Sequence, residues 1–355
     1  MIVLANIYLK SIALKARPLL GFLLLFIGCG IERNQFTIDG STMGTTYSVK
    51  FVTSINPIDI ESIESGIDSL FNQLNKQMST WDPKSEISLF NSWKSLEPYP
   101  VSEPLLEVMN SAIDVSRKTN GLFDITVYEL MRLWGFGPNP KSGMPDNDEI
   151  TSALNRSGYG KIKINNKTLI KSDKSIKVDL NAIAKGYGVD KVFAYIRARG
   201  YEDIFVEIGG EVRCSGKNRN NQKWTIGIED PLAFDSNDND LCAILHLDDG
   251  SVATSGNYRN IVNIDGEILG HTINPKTGFP IQTDVLSVTV LSESCMIADA
   301  WATALMVMDY QIGYTKVNND PEIDAVWIIR DSENGNRYVS KSGNMEIKEL
   351  KYPFK

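Results

Sequence analysis

A chain of 355 residues is long enough to bury a large core, either as one domain or as two intimately joined halves. Its formal net charge of -8 and the lack of any basic run after the first 20 residues argue against nucleic acid as a partner, since holding a polyanion requires a basic face that displaces counterions. After Cys29, the three cysteines Cys214, Cys242 and Cys295 are irregularly spaced, which gives neither a disulfide framework nor a zinc pattern; they read as small buried residues.

Lys10, Lys15 and Arg17 precede an apolar run at 19–27 that ends in Gly28 and Cys29, so residues 1–28 read as a signal peptide. The run is too short for an ordinary spanning helix. Its Gly-Cys end resembles a bacterial lipobox, in which the cysteine is lipidated and becomes the mature N-terminus. Phe26 stands where that pattern usually has Leu, with Leu25 beside it. The expectation is a lipidated Cys29, a polar tether within 29–35 and a folded body at 36–355 outside the cytoplasm. An uncleaved anchor or plain secretion is the alternative.

Two β-rich runs within 36–52 flank Gly40 and Gly44 and predict a hairpin whose turn carries STMGT. Ile60, Ile63, Ile67, Leu70, Phe71, Leu74 and Met78 recur at helical spacing and predict an amphipathic helix over 57–78. A second helix follows Ser102, with Leu105, Leu106, Met109, Ala112 and Ile113 inward, and a third starts near Asp146. Short strands at 161–164, 168–171 and 175–178 lead to a helix over 181–199, with Ile183, Val189, Val192 and Ile196 inward. Strands return at 203–208, 212–215, 224–229, 242–247, 252–253, 261–264 and 286–291, with the polar stretch 231–240 as an excursion. The helix holding Asp299 comes next, and a strand at 325–330 closes the sheet. Helices and strands mix without regular βα alternation, so the expected class is α+β, with mixed, largely antiparallel sheets and packed helices.

The run MIADAWATAL from Met296 puts Asp299 and Thr303 one helical turn apart on a single face, so that two hard oxygens point at one spot. Alone, such a pair is more often a surface hydrogen bond or a cap. In DLNAIAKGYG, Asp179 is an N-terminal acid, Lys185 lies on the helix, and Gly186 and Gly188 permit close backbone approach. Taken alone, Asp179 is an N-cap and Lys185 a solvated lysine. Gly209-Gly210 at a strand end is by itself a turn or bulge. Of the two histidines, His246 lies in an apolar strand and reads as structural, whereas His271 opens the turn-rich HTINPKTGFP.

In order and content, STMGTTYSVKF from Ser41, MSTWDPKSEISLFN from Met78, GLFDITV from Gly121, DLNAIAKGYGVD from Asp179, VEIGGEVRCSGKN from Val206, HTINPKTGFPI from His271 and the run around Asp299 resemble the ApbE family. Its members are FAD:protein FMN transferases, and the resemblance covers nearly everything from about Phe36 onward. It implies magnesium-dependent transfer of FMN from FAD to a Thr or Ser hydroxyl of a target protein, through a phosphoester and with release of AMP. It implies Mg2+ held by Asp299, Thr303 and the backbone carbonyl of Ala182. Ala302 stands where some relatives have an acid, leaving one fewer possible carboxylate.

The same resemblance puts FAD against Met43, Trp81, Leu122, Phe123, Asp124, Asp179, Lys185 and Ile273. A thioether and an indole suit a flat, apolar isoalloxazine. Without it, Trp81 reads as a half-buried aromatic, and Leu122, Phe123 and Ile273 as core. His271 is the candidate base for the acceptor hydroxyl, with the Asp299 carboxylate or a metal-bound water as alternatives. Implied partners are FAD and an acceptor flavoprotein such as a membrane redox subunit. The implied location is the periplasmic side of the inner membrane, held there by the N-terminal lipid. Two rival functions remain: a magnesium-dependent FAD pyrophosphatase, in which water replaces the hydroxyl, and a non-enzymatic flavin-binding lipoprotein.

Overall fold

The computed structural model describes residues 33–55, 57–231, 241–258, 261–343 and 345–354; the expected signal peptide, Cys29 and most of the expected excursion at 231–240 lie outside the described residues. In chain order, β1 (Asn34–Thr42) and β2 (Thr45–Thr53) are followed by α1 (Ile60–Met78), α2 (Glu86–Ser92), β3 (Tyr99–Pro100) and α3 (Glu103–Lys118). Next come α4 (Tyr128–Leu133), α5 (Asn147–Asn155), β4 (Ile162–Asn165), β5 (Thr168–Lys171) and α6 (Ala184–Ala198). Strands β6 (Asp203–Ile208), β7 (Glu211–Ser215), β8 (Trp224–Glu229), β9 (Leu241–Leu247), β10 (Asp249–Gly256), β11 (Ile261–Ile264), β12 (Glu267–Gly270) and β13 (Val285–Ser292) follow. The chain continues through α7 (Cys295–Val307), α8 (Tyr310–Asn318), β14 (Ile323–Arg330), β15 (Arg337–Lys341) and β16 (Ile347–Leu350).

An eight-stranded antiparallel sheet in the order β1-β2-β6-β7-β10-β13-β14-β15 is the centre of the molecule. Successive side chains of a strand point to opposite faces, and both faces here are apolar. Ile204, Val206 and Ile208 of β6, with Ala325, Trp327 and Ile329 of β14, face the helices α1, α3, α6 and α7. Val212 and Cys214 of β7, with Val326 and Ile328 of β14, face a smaller sheet of order β16-β9-β8. A third cluster joins α4 and α5 to Ile273. The α+β reading with largely antiparallel sheets therefore holds.

Local chemistry accounts for the helix starts. The carboxylate of Asp59 accepts from Ser62 N ahead of α1, Ser102 caps α3, and Asp146 and Glu149 form a reciprocal capping box at α5. Several expectations need correction. Residues 175–178 are not a strand: Asp173 folds back on Ser175 N and Oγ and starts a turn instead. The helix expected over 181–199 begins only at Ala184, because Asp179 accepts from Asn181 N and holds 181–183 as a turn. Strand β14 does not close the sheet, since β15 pairs beyond it. Asn34 and Gln35 belong to β1 and not to a tether, and Arg33 is paired with Asp203. Helices α2, α4 and α8 are short and were not expected from periodicity.

Candidate active site

The site is organised by the crossing of α6 and α7. Helix α7 is buried on nearly every side, so Asp299, 4% exposed among Ala298, Ala300 and Trp301, is a carboxylate in an apolar setting. Its N-terminus is fixed twice over. Ser294 caps it from within, and Asp190 of α6 accepts from Cys295 N (3.1 Å), Met296 N (3.1 Å) and Ser294 Oγ (2.8 Å). An acid at that end also complements the helix dipole. Gly186 explains how closely the helices approach, because a Cβ there would lie 2.3 Å from the carbonyl oxygen of Cys295. The Gly186 amide donates to Asp299 Oδ2 at 3.0 Å, which leaves Oδ1 without a hydrogen bond among the described residues.

Beside Asp299 stands Lys185, whose Nζ is 4.0 Å from Asp299 Oδ1 and 2.7 Å from Glu211 Oε1. Glu211 is 4% exposed, and its Oε2 is buried with no hydrogen-bond partner among the described residues. Burial pushes the Glu211 carboxyl up to about 7, opposed by Lys185 and reinforced by Asp299. Burial raises Asp299 too, with Lys185 and the Gly186 amide pulling the other way. Burial works against the Lys185 ammonium, yet Asp299 and Glu211 outweigh it and hold the group above the ordinary lysine range. One turn along α7, the hydroxyls of Thr303 and Ser255, near the end of β10, are 3.2 Å apart.

The other expected residues distribute unevenly around this centre. Met43 sits at the β1–β2 turn with a left-handed backbone (φ 50°), and its Sδ packs over Gly188 of α6. The Gly209-Gly210 turn lies against it, for a Cβ at Gly209 would meet Thr45 at 2.8 Å. Ala182 is in the turn just before α6. Asp179 does not cap α6; its own amide bonds to Ile125 O (2.7 Å) and its carboxylate to Asn181. Trp81 is 65% exposed and so is not the half-buried aromatic expected when the family resemblance is set aside.

In the loop 121–126, Phe123 is buried in the main core and Leu122 packs against it. Both oxygens of Asp124 are occupied, by Thr126 N and Oγ1 and by Tyr159 N, so this acid ties its loop to the segment after α5. Ile273 is buried with α4 and α5. His271 stacks edge-on to Phe136 at 6.3 Å, and its loop is tied to the segment after β10 through Asn257, whose Oδ1 accepts from Thr272 N. His246 bonds to Thr225 on the neighbouring strand, as a structural histidine does.

Glu211 escaped the reading of the sequence because the strand was begun one residue late, at Val212. Period-two alternation could have found it. With Val212 and Cys214 turned to the small sheet, Glu211 and Arg213 must point at the helices, and each pairs there with α6: Glu211 with Lys185, Arg213 with Asp190. Charges facing a core are the informative kind. The residues that the family resemblance names could offer a cation the Asp299 oxygen left without a hydrogen bond among the described residues, the Thr303 hydroxyl and the Ala182 carbonyl. No group of three or more His, Cys, Asp or Glu placed to hold a metal ion occurs among the described residues. That set fits magnesium, which takes few protein ligands and fills its shell with substrate phosphate and water, better than it fits a caged metal.

A family model described as the ApbE family matches residues 43–327 of this sequence. The chain belongs to the ApbE family. It is 40% identical over 324 residues to the FAD:protein FMN transferase of Vibrio cholerae, covering 91% of this chain and 96% of that one. Against the FAD:protein FMN transferase of Haemophilus influenzae the identity is 35% over 326 residues, covering 89% and 92%. Among solved structures, the flavin transferase ApbE from Vibrio cholerae superposes with a TM-score of 0.80 at 37% identity, covering 88% of this chain and 98% of that chain. The apo flavinyl transferase ApbE of Pseudomonas stutzeri gives 0.77 at 30% identity, covering 87% and 95%.

Proposed function

We propose that this protein is an enzyme that moves the FMN half of FAD onto a protein hydroxyl, with magnesium as its metal and AMP as the leaving group. The observation that carries the reading is Asp299. A buried carboxylate with one oxygen tied to Gly186 N and the other without a hydrogen bond among the described residues, 4.0 Å from an ammonium, is a poor structural choice and a good cation ligand. The relatives named as FAD:protein FMN transferases support flavin transfer to a protein.

In the proposed reaction the acceptor Thr or Ser oxygen bonds to the FMN phosphorus and the bridging oxygen leaves with AMP. The hydroxyl proton passes to a ring nitrogen of His271. Asp299, Thr303 and the Ala182 carbonyl would hold the metal. A magnesium ion held there would supply positive charge against the phosphates and against the charge that builds on AMP. Lys185 supplies a positive charge for the diphosphate, and the glycine turn at 209–210 lets backbone approach the nucleotide. Met43 and the exposed Trp81 offer apolar faces for the isoalloxazine. The packing of Phe123 and Ile273 and the saturated carboxylate of Asp124 support indirect roles for these three, shaping the walls of the FAD site.

From sequence alone, the leader ending in Gly28-Cys29 supports a lipidated Cys29 that tethers the body on the periplasmic side of the inner membrane, where a membrane redox subunit would be within reach. The deciding experiment incubates the protein with FAD, magnesium and an acceptor flavoprotein and follows both products by mass spectrometry. The reading expects acceptor carrying one FMN, with AMP released in equal amount. Free FMN and AMP with unmodified acceptor would make it a pyrophosphatase; FAD left intact would make it a binding protein.

A further inference from the structure

Lys185 is drawn by two carboxylates and has chosen one. Its Nζ sits in hydrogen-bond contact with Glu211 Oε1 at 2.7 Å and stops at 4.0 Å from Asp299 Oδ1. Lys185 and Gly186 are adjacent on α6, and the Gly186 amide holds Asp299 by its other oxygen. Were Glu211 absent, the ammonium would have Asp299 as its one carboxylate partner, across a gap that a side-chain rotation closes. A lysine on Asp299 Oδ1 would occupy the atom a cation needs and repel a divalent ion besides. Glu211 is placed to prevent this. It opens β7 directly after the tight turn at Gly209-Gly210, is buried, and spends Oε1 on the lysine while Oε2 bonds to nothing among the described residues.

We propose that Glu211 is a positioning residue that holds Lys185 off Asp299, keeping Asp299 Oδ1 open for the divalent cation until an incoming diphosphate draws the ammonium away. This rests on the assignment of Asp299 as a cation ligand made above. It explains why a second buried acid lies beside Asp299: its partner is the lysine, not the metal.

The test measures Mn2+ binding by calorimetry on the full chain without FAD, so that no catalytic step enters the readout. Glu211→Gln should weaken Mn2+ binding by roughly tenfold, since the released ammonium moves onto Asp299. Lys185→Met should bind Mn2+ at least as tightly as the parent. The double variant Glu211→Gln with Lys185→Met should return to within about threefold of Lys185→Met alone, the coupling that a double-mutant cycle isolates. If the double variant stays as weak as Glu211→Gln, Glu211 is itself a ligand and the holding role is wrong. Parental affinity in Glu211→Gln would overturn it equally. Should Glu211→Gln fail to fold, Lys185→Met alone decides, because a fall in Mn2+ affinity in that variant contradicts a competing lysine. Asp299→Asn is the separate control: if it binds Mn2+ like the parent, the cation assignment fails, a different outcome from failure of Glu211 to hold the lysine.

Discussion

The Gly186 amide and the Asp299 carboxylate meet at 3.0 Å, so the residue that lets α6 and α7 touch is also the one that aims the acid. Gly186 sits in the first turn of α6, where an amide has no partner within its own helix. Asp299 satisfies it from the neighbouring helix, which ties helix packing to the geometry of the site.

For Asp299→Asn, the amide oxygen still accepts from Gly186 and an unfavourable buried charge is removed. Thermal melts in EDTA should therefore match or exceed the parent. Flavin transfer should fall by at least about a hundredfold, because a hard cation loses its carboxylate. Thr303→Ala should lose less, and excess magnesium or manganese should restore part of it, since water can take a hydroxyl's place. Parental transfer by folded Asp299→Asn would remove the metal assignment.

Two glycines separate contact that matters from contact that yields. Gly186→Ala would press a methyl onto the Cys295 backbone, which cannot step aside, and should cost about 3 kcal/mol along with cation binding. At Gly66 in α1, the nearest atoms a Cβ would meet are at the far end of the Tyr195 ring, a flexible side chain that can turn away. Gly66→Ala also gains helix propensity, so its stability should stay within about 1 kcal/mol of the parent. Urea unfolding of both variants checks the contrast; equal losses would contradict it.

Lys171 predicts a pH effect away from the active site. It is buried beneath the carbonyls of Asn91 (3.3 Å) and Trp93 (3.2 Å) and lies over the Phe90 ring. Burial, with repulsion from Lys94 and Lys177, lowers its pKa from 10.5 to about 8. Between those two values the unfolded chain keeps a proton that the folded chain has released, so folding stability rises with pH across that window and the charge is a burden below it. Relative to Lys171→Met, the parent should gain at most about 3 kcal/mol between the two ends of the window. A stability difference that stays flat with pH would show that the lysine is not desolvated.

Cys29→Ser should release the body from the membrane fraction without altering flavin transfer by the released protein. Retention of the variant through a carbonate wash would count against lipidation.

What the sequence made legible is what repeats. The spacing of Ile63, Ile67, Phe71 and Leu74 predicted α1, the capping acid Asp146 predicted α5, and the i to i+4 step from Asp299 to Thr303 placed both on α7. Short elements such as α4 carry too few turns for periodicity to register, and residues 175–178 looked like a strand because a turn set by Asp173 has no period at all. Within the site, helix α6 declared Lys185, but its partner lies on β7, 26 residues away, and only three-dimensional pairing reveals Glu211. Asp124 was legible only as part of its motif: nothing in the sequence says that the fold ties one of its oxygens to Thr126 and the other to Tyr159, 35 residues on.

Cys295 turns the helix crossing into something that can be timed. Its thiol is fully buried and burial holds it protonated well above the usual thiol range, while its carbonyl is the atom against which Gly186 is pressed. Because Cys295 is buried where α6 and α7 cross, an alkylating reagent should reach its sulfur when the two helices part. The labelling rate of Cys295 in a variant whose other thiols are replaced by serine or alanine therefore counts spontaneous openings of the catalytic centre. Any substrate or ion that grips both helices at once should lengthen the interval between them.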